Sequence, residues 1–441
     1  MKYLSLIITL FFIGNVKSQE TKIWTLQECV NYAIENNLSV KQSELDKNIA
    51  AQDVVAAKWS FAPNLNANAS HNYNFGSSIT ASGARASADF QSNTIGVNSS
   101  VNLFNGFANI HTLKQSKISV EAQEAALTKM KNDISLNVVN GYLQVLFAKE
   151  QVKVAQSQVT ISETQVARIE ELVNAGSLAE GDLFNIKSTL ATDQQNLVVA
   201  ENTQAMATLR LAQLLQLKEA SIEVQDVNIA ISDQSILGND VMDIYNKANA
   251  SFPEIKLAEL NIESAEKGVK IAKSNFYPSL TLNMGMNTIY QHRQGTPDFF
   301  TFSEQLDQNL GKSVGVSLNV PIFNRYQFRT NVNKSKINYL RTEYLLETER
   351  LRLRETIQTA YTDAKASSKS YDASKISVEA QTKAFNYADE RYKAGAINSF
   401  DFNQTKNNLL NAQSQLIRSK YDYVFKLKVL EFYSGVPIVI E

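Results

Sequence analysis

The sequence predicts a mainly α-helical chain with a smaller β part that lies in a membrane, the whole built as a two-fold internal repeat. Three observations carry this expectation: long stretches of helix-forming residues, four short segments of strict apolar/polar alternation, and landmark residues that return at a constant offset. Ser116-Lys117-Ile118 recurs as Ser335-Lys336-Ile337, Tyr142 as Tyr361, Ala175-Gly176 as Ala394-Gly395 and Asp182 as Asp401. Each pair is 219 positions apart (335 − 116, 361 − 142, 395 − 176, 401 − 182). Upstream, Phe61, Pro63 and Leu65 return as Phe276, Pro278 and Leu280 at an offset of 215 (276 − 61), so the second copy carries four extra residues between Pro278 and Asn324 (219 − 215). A long self-similar period means two copies of one structural unit placed in equivalent surroundings.

The elements follow in order. Met1-Lys2, the apolar run from Leu4 to Ile13 and Val16-Lys17-Ser18 read as a secretory signal peptide over residues 1–18, because the run is too short to span a bilayer. The first repeat, 19–217, comprises a helix from Leu26 to Ser60, a β-hairpin at 64–104, a long helix at 106–174, a tip turn at 174–181 and a helix at 182–217. Residues 218–240 connect the repeats, and the alternation in Ile222-Glu223-Val224 and Ile229-Ala230-Ile231 suggests short strands or irregular packing. The second repeat, 241–434, has a helix from Val241 to Asn275, a hairpin at 279–323, a long helix at 325–393, a tip turn at 393–400 and a helix at 401–434, with a tail at 435–441.

The long helices are the firmest of these elements. No proline lies between Pro63 and Pro253, and the pattern from Asn109 to Asn174 would make a helix on the order of 100 Å long at ~1.5 Å per residue. Its heptad-spaced seam is small (Gly141, Ala148, Ala155, Ser162), with Ala360, Ser367 and Ser374 as the later copy. Small residues let helices lie close side by side, as a curved wall of many helices needs, whereas bulky seams make a solid two- or three-stranded core. Ala175-Gly176-Ser177 and Ala394-Gly395-Ala396 read as helix ends, with glycine at the left-handed cap position.

The strands carry the membrane argument. Leu65, Ala67, Ala69, His71, Tyr73 and Phe75 alternate with Asn66, Asn68, Ser70, Asn72 and Asn74, and the return strand sets Ile95, Val97, Val101 and Leu103 against Asn98, Ser100 and Asn102. In the second repeat Leu280, Leu282, Met284, Met286 and Tyr290 oppose Thr281, Asn283 and Asn287, while Val314, Val316, Leu318, Val320 and Ile322 oppose Ser317 and Asn319. About 9–11 residues of such alternation suit a tilted membrane-crossing strand, with one face on lipid and one on water. The expectation is that all four strands lack charge. Aromatics gather where hairpins meet helices (Trp59, Phe61, Phe104, Phe107, Phe276, Tyr277, Phe323, Tyr326, Phe328) and fit an interfacial girdle. Phe299, Phe300 and Phe302 lie in the longer second loop, either as lid packing or as a surface contact. Four strands cannot close a barrel, and open edges are not tolerated in lipid. A dimer would give a side-chain-filled eight-stranded barrel, whereas a trimer gives twelve strands and an aqueous lumen, so a homotrimer is expected.

Composition excludes other classes. Lys and Arg (43) balance Asp and Glu (44), leaving a net charge of −1, without the basic face of a nucleic-acid binder. Cys29 is the only cysteine, so it forms no disulfide framework or cysteine metal cluster, and a buried helical state is expected. The three histidines are scattered, and Gly311-Lys312-Ser313 lacks the first glycine of a phosphate loop, Leu306 standing there. No enzyme, cofactor or metal site is expected. An exported coiled-coil adhesin or periplasmic scaffold would share the helices but gives no reason for four uncharged alternating strands.

Together these residues resemble the TolC family of outer-membrane efflux proteins over essentially the whole mature chain. The resemblance rests on Trp24-Thr25-Leu26 with Ala33 and Asn36-Asn37 opening the first helix, Phe61-Ala62-Pro63 and Phe276-Tyr277-Pro278 entering the hairpins, Leu103-Phe104-Asn105-Gly106 leaving the first, and the paired Ala-Gly turns. It implies a trimeric twelve-stranded β-barrel in the outer-membrane lipid, continuous with a long α-helical barrel across the periplasm. It also implies a passive exit duct working with a periplasmic adaptor and an inner-membrane pump. Residue by residue, the resemblance makes Ala175, Gly176, Ser177, Ala394, Gly395 and Ala396 the adaptor-docking tips. Asp182 and Asp401 match aspartates that constrict the entrance, and Tyr392 matches a tyrosine that latches the closed state by reaching the aspartate equivalent to Asp182. Gln404 stands where some members have a second lumen aspartate, and Ile397 where some have a latching arginine. Both departures imply a weaker gate.

Overall fold

The computed structural model describes residues 22–79, 81–87, 89–218, 222–226, 235–295 and 297–436. The expected signal peptide, the Ile229-Ala230-Ile231 alternation and the last five residues of the tail (437–441) lie outside them. In chain order, β1 (Ile23–Trp24), α1 (Leu26–Asn36) and α2 (Leu38–Trp59) lead to β2 (Asn66–Asn74), a small hairpin of β3 (Ser77–Ile79) and β4 (Arg85–Ser87), and β5 (Phe90–Asn105). Next come α3 (Ala108–Asn174), α4 (Glu180–Leu215), β6 (Glu223–Val224) and a 3-10 turn at Ser235–Gly238. The chain continues through α5 (Val241–Ser251), α6 (Pro253–Ser274), β7 (Ser279–Arg293), α7 (Phe302–Gln308), β8 (Gly311–Asn319), α8 (Gln327–Lys393) and α9 (Ser399–Tyr433). Two compact units result: one from residues up to 40, 131–248 and 355 onward, the other from 41–130 and 249–354.

Both helices that precede a hairpin are broken, where the sequence suggested continuity from Leu26 to Ser60 and from Val241 to Asn275. Asn37 is extended (φ −62°, ψ 130°); its Oδ1 accepts from the Ser39 N–H at 2.9 Å and its amide donates to the Leu214 carbonyl at 3.3 Å. An asparagine that bonds local backbone competes with the helix ladder. In the second copy Pro253 opens α6, and Phe252 before it is extended (φ −74°, ψ 136°), the conformation that a following proline enforces.

The sheet-bearing unit is built on an antiparallel four-stranded sheet in the order β2-β5-β7-β8. Directly opposed residues in such a sheet share a face. The register places Ala67 opposite Val97, Ala69 opposite Ile95, Val97 opposite Met286 and Val101 opposite Leu282. It also places Leu280, Leu282 and Met284 opposite Leu318, Val316 and Val314. One face is therefore apolar, and the other carries Asn66, Asn98, Gly285 and Ser313 in one row and Asn68, Gly96, Asn287 and Gly311 in the next. One expectation is corrected: β7 reaches Arg293 and β8 begins at Gly311, so Arg293 and Lys312 belong to strands. Arg293 ends β7 at the loop, whereas Lys312 stands opposite Met286 and so on the apolar face, where a lysine's long apolar stem can carry its ammonium toward the water interface.

The strand-to-helix junctions are two consecutive left-handed residues: Gly106 and Phe107 (φ 64° and 70°) after β5, Arg325 and Tyr326 (φ 52° and 63°) before α8. Only the first needs glycine for space, since a Cβ at Gly106 would sit 2.3 Å from the Ser274 carbonyl oxygen.

The connecting segment packs on the helical unit. β1 pairs in parallel with β6, Trp24 opposite Val224. The buried Tyr142 hydroxyl donates to the Gln225 carbonyl at 2.9 Å, and Tyr361, its partner in the repeat, donates to the Leu237 carbonyl at 2.9 Å. Thr25 and Glu28 form a capping box on α1, which buries Leu26, Cys29, Val30 and Ala33. On the small seam Ala148, Ser162, Ser367 and Ser374 are buried while Gly141, Ala155 and Ala360 are half-buried, and a Cβ on Gly141 would meet Leu211 Cδ1 at 3.4 Å.

Candidate functional site

At the tip of α3, Asn174 ends the helix and Ala175, Gly176 and Ser177 turn the chain, with Gly176 at φ 74°. The Ser177 N–H donates to the Leu172 carbonyl at 2.8 Å and the Gly176 N–H to the Val173 carbonyl at 2.9 Å. This is the paired closure of a glycine C-terminal cap. Ala394, Gly395 (φ 72°) and Ala396 repeat it: the Ala396 N–H donates to the Arg391 carbonyl at 2.8 Å and the Gly395 N–H to the Tyr392 carbonyl at 3.1 Å.

Asp182 and Asp401 occupy the first turns of α4 and α9, where a carboxylate complements the helix dipole. Asn398 caps α9, its Oδ1 accepting from the Asp401 N–H at 2.8 Å, and the Asp401 side chain is exposed. Gln404 is exposed one turn on and donates to Asn408 Oδ1 at 3.0 Å.

Tyr392 and Asp182 line one cavity of about 400 Å³ with Arg168, Leu172, Leu178 and Ile397. Tyr392 stacks on the buried Phe402 (ring centroids 4.6 Å apart, 18° between planes), with the Arg168 guanidinium 5.8 Å from its centroid. Burial pushes the Tyr392 hydroxyl up from its ordinary value; Arg168 opposes that shift and Asp182 adds to it. Arg168 also donates to the Lys393 carbonyl at 2.7 Å, tying the α3 tip to the α8 tip within this unit. The sequence reading missed Arg168, because the residue aligned with a latching arginine is Ile397.

It also missed a buried charged cluster about two to four helical turns behind the tips. Lys406 Nζ lies 2.5 Å from Asp193 Oδ2 and 2.5 Å from Ser162 Oγ, which donates to the same carboxylate oxygen at 2.5 Å. Lys406 is 2% exposed, Asp193 6% and Ser162 0%. Three helices, α3, α4 and α9, are thereby joined by polar bonds in the interior. The available signal was Ser162 on the small seam, which pointed to close packing but not to its partners.

One unit thus carries long helices with glycine-capped tips, and the other a sheet with one apolar and one Asn/Ser/Gly face. Residues 29–216 and 244–436 match the outer membrane efflux protein family, and the chain belongs to that family; it is an outer-membrane protein. It is 25% identical over 307 residues to the pyoverdine export outer membrane protein OpmQ of Pseudomonas aeruginosa, an alignment that covers 68% of this chain and 60% of OpmQ. It thus spans less than two thirds of that relative's length. It is 21% identical to the outer membrane protein TolC of Escherichia coli over 88% of this chain and 78% of TolC. Among solved structures, the outer membrane protein VceC of Vibrio cholerae superposes with a TM-score of 0.74 at 16% identity, covering 94% of this chain and 97% of VceC.

Proposed function

We propose that the chain is one third of a passive outer-membrane exit duct of a tripartite efflux or secretion system. Three copies would complete a twelve-stranded β-barrel in outer-membrane lipid and a helical barrel in the periplasm. The carrying observation is the sheet: β2 and β8 are its edges, each paired on one side only, one face is apolar and the other is Asn/Ser/Gly. Lipid tolerates neither an open edge nor an unpaired backbone group, so the edges call for sister subunits, and twelve strands leave an aqueous lumen where eight would be filled.

In this reading Ala175, Gly176, Ser177, Ala394, Gly395 and Ala396 are the surfaces on which a periplasmic adaptor docks, linking the duct to an inner-membrane pump. The exposed Phe184 and Phe400 beside them supply apolar contact area. Asp182, Asp401 and Gln404 line the constriction, and Tyr392 holds the closed tip through Phe402 and Arg168. Purified protein in planar bilayers should conduct ions as a detergent-resistant trimer. A water-soluble monomer without conductance would overturn the proposal.

A further inference from the structure

The loop between β7 and β8 folds over one particular side of the sheet. β8 covers β7 only from Ser279 to Asn287. Beyond that point α7 takes its place: Gln305 Oε1 accepts from the Gln291 N–H at 3.0 Å, and the Asn309 amide donates to the Ile289 carbonyl at 2.7 Å. Thr288, Tyr290 and His292 share the parity of Leu282, Met284 and Met286, hence the apolar face. All three bind the loop. Thr288 Oγ1 donates to the Leu306 carbonyl at 2.6 Å, Tyr290 and His292 both reach Asp298 Oδ2 (3.1 and 2.7 Å), and Tyr290 meets Phe302 edge to face at 4.9 Å. The loop lies on the apolar side, away from the Asn/Ser/Gly face.

On that side it displays Phe299 (96% exposed), Phe300 and Phe302. Membrane barrels carry an apolar band ~25 Å tall between two aromatic girdles. Phe104, which packs on Phe107 at 5.1 Å, stands opposite Leu280. From the Leu280 level to Tyr290 is ten residue steps (290 − 280), about 34 Å along the strand and about 26 Å along the membrane normal at ~40° tilt. The Tyr290–Phe302 layer falls where the second girdle is required.

We propose that residues 297–310 are a lipid anchor of the outer leaflet, with Phe299, Phe300 and Phe302 seated among acyl chains and headgroups, and not a lid over the pore mouth. The inference rests on the proposed assignment of the apolar face to lipid. Its test uses the trimer in vesicles of phospholipid and lipopolysaccharide, with nitroxide labels at Phe299→Cys and Phe300→Cys in a Cys29→Ala background. Met284→Cys is the lipid-face control and Asn287→Cys the lumen control. Labels at 299 and 300 should show an oxygen-to-nickel-chelate accessibility ratio close to that at 284 and several-fold above that at 287. Labels at 299 and 300 that are open to the water-soluble chelate, or shielded from both reagents by a neighbouring subunit, overturn the anchor while a lipid-exposed 284 leaves the duct reading standing. A water-exposed 284 overturns both.

Discussion

Lys406 sits in the helical unit with its ammonium closed off from water and satisfied by Asp193 and Ser162. Removing one partner of such a pair strands a buried charge, whereas replacing both by apolar residues is close to neutral. Lys406→Met should therefore destabilise the unit by about 3–5 kcal/mol, and Lys406→Met with Asp193→Leu should recover most of that loss in the thermal midpoint read by circular dichroism. Cys29 gives a pH signature. Burial, aided by Glu28 and opposed by Lys22, pushes its thiol from 9.0 up to about 12. The folded state therefore holds a proton that the unfolded chain releases, so this contribution to stability is fully present below about pH 9 and fades as pH rises toward 12. Cys29→Ala should flatten the alkaline decline of the midpoint. Asp401 tests the constriction: Asp401→Ala should lower cation preference and block by multivalent cations, while unchanged selectivity reassigns the carboxylate to the α9 helix dipole.

Two kinds of turn decide whether the elements meet at the right angle. Gly176 and Gly395 have open space for a Cβ, so alanine there costs only left-handed strain, about 1 kcal/mol. It should speed amide exchange at Ser177 and Ala396, whose N–H groups close the caps, and leave the rest of the helices protected. At the strand-to-helix junctions the asymmetry is larger. Gly106→Ala drives a Cβ into the Ser274 carbonyl and should abolish assembly of heat-resistant trimer, whereas Arg325→Gly relieves a left-handed non-glycine and should raise the midpoint. The tip caps were legible because a glycine ending an unbroken helical pattern has few other uses. The alternating faces were legible because period two admits little else. The helix breaks at Asn37 and Phe252 were not, since the first depends on a bond to Leu214, 177 positions away. The second was weakly signalled, because Pro253 is as acceptable at the start of a helix as in a turn. Arg168 and the Lys406 cluster were hidden for the same reason: their partners lie 225, 213 and 244 positions distant, and no local spacing records such pairs.

At the scale of the molecule, the proposed duct needs sister subunits to complete what one chain leaves open. The β2 and β8 edges, the apolar face and the Asn/Ser/Gly face are properties of a single chain; in the proposed duct the lumen, the acidic constriction and adaptor docking would be properties of three. The most direct measurement is a disulfide scan in membranes, pairing single cysteines along β2 (Asn66–Asn74) with single cysteines along β8 (Gly311–Asn319) in a Cys29→Ala background. Closure by sister chains predicts one register at which oxidation yields covalent dimers and trimers that still conduct. Linkage only within single chains at every register, from protein recovered in the soluble fraction, would contradict it.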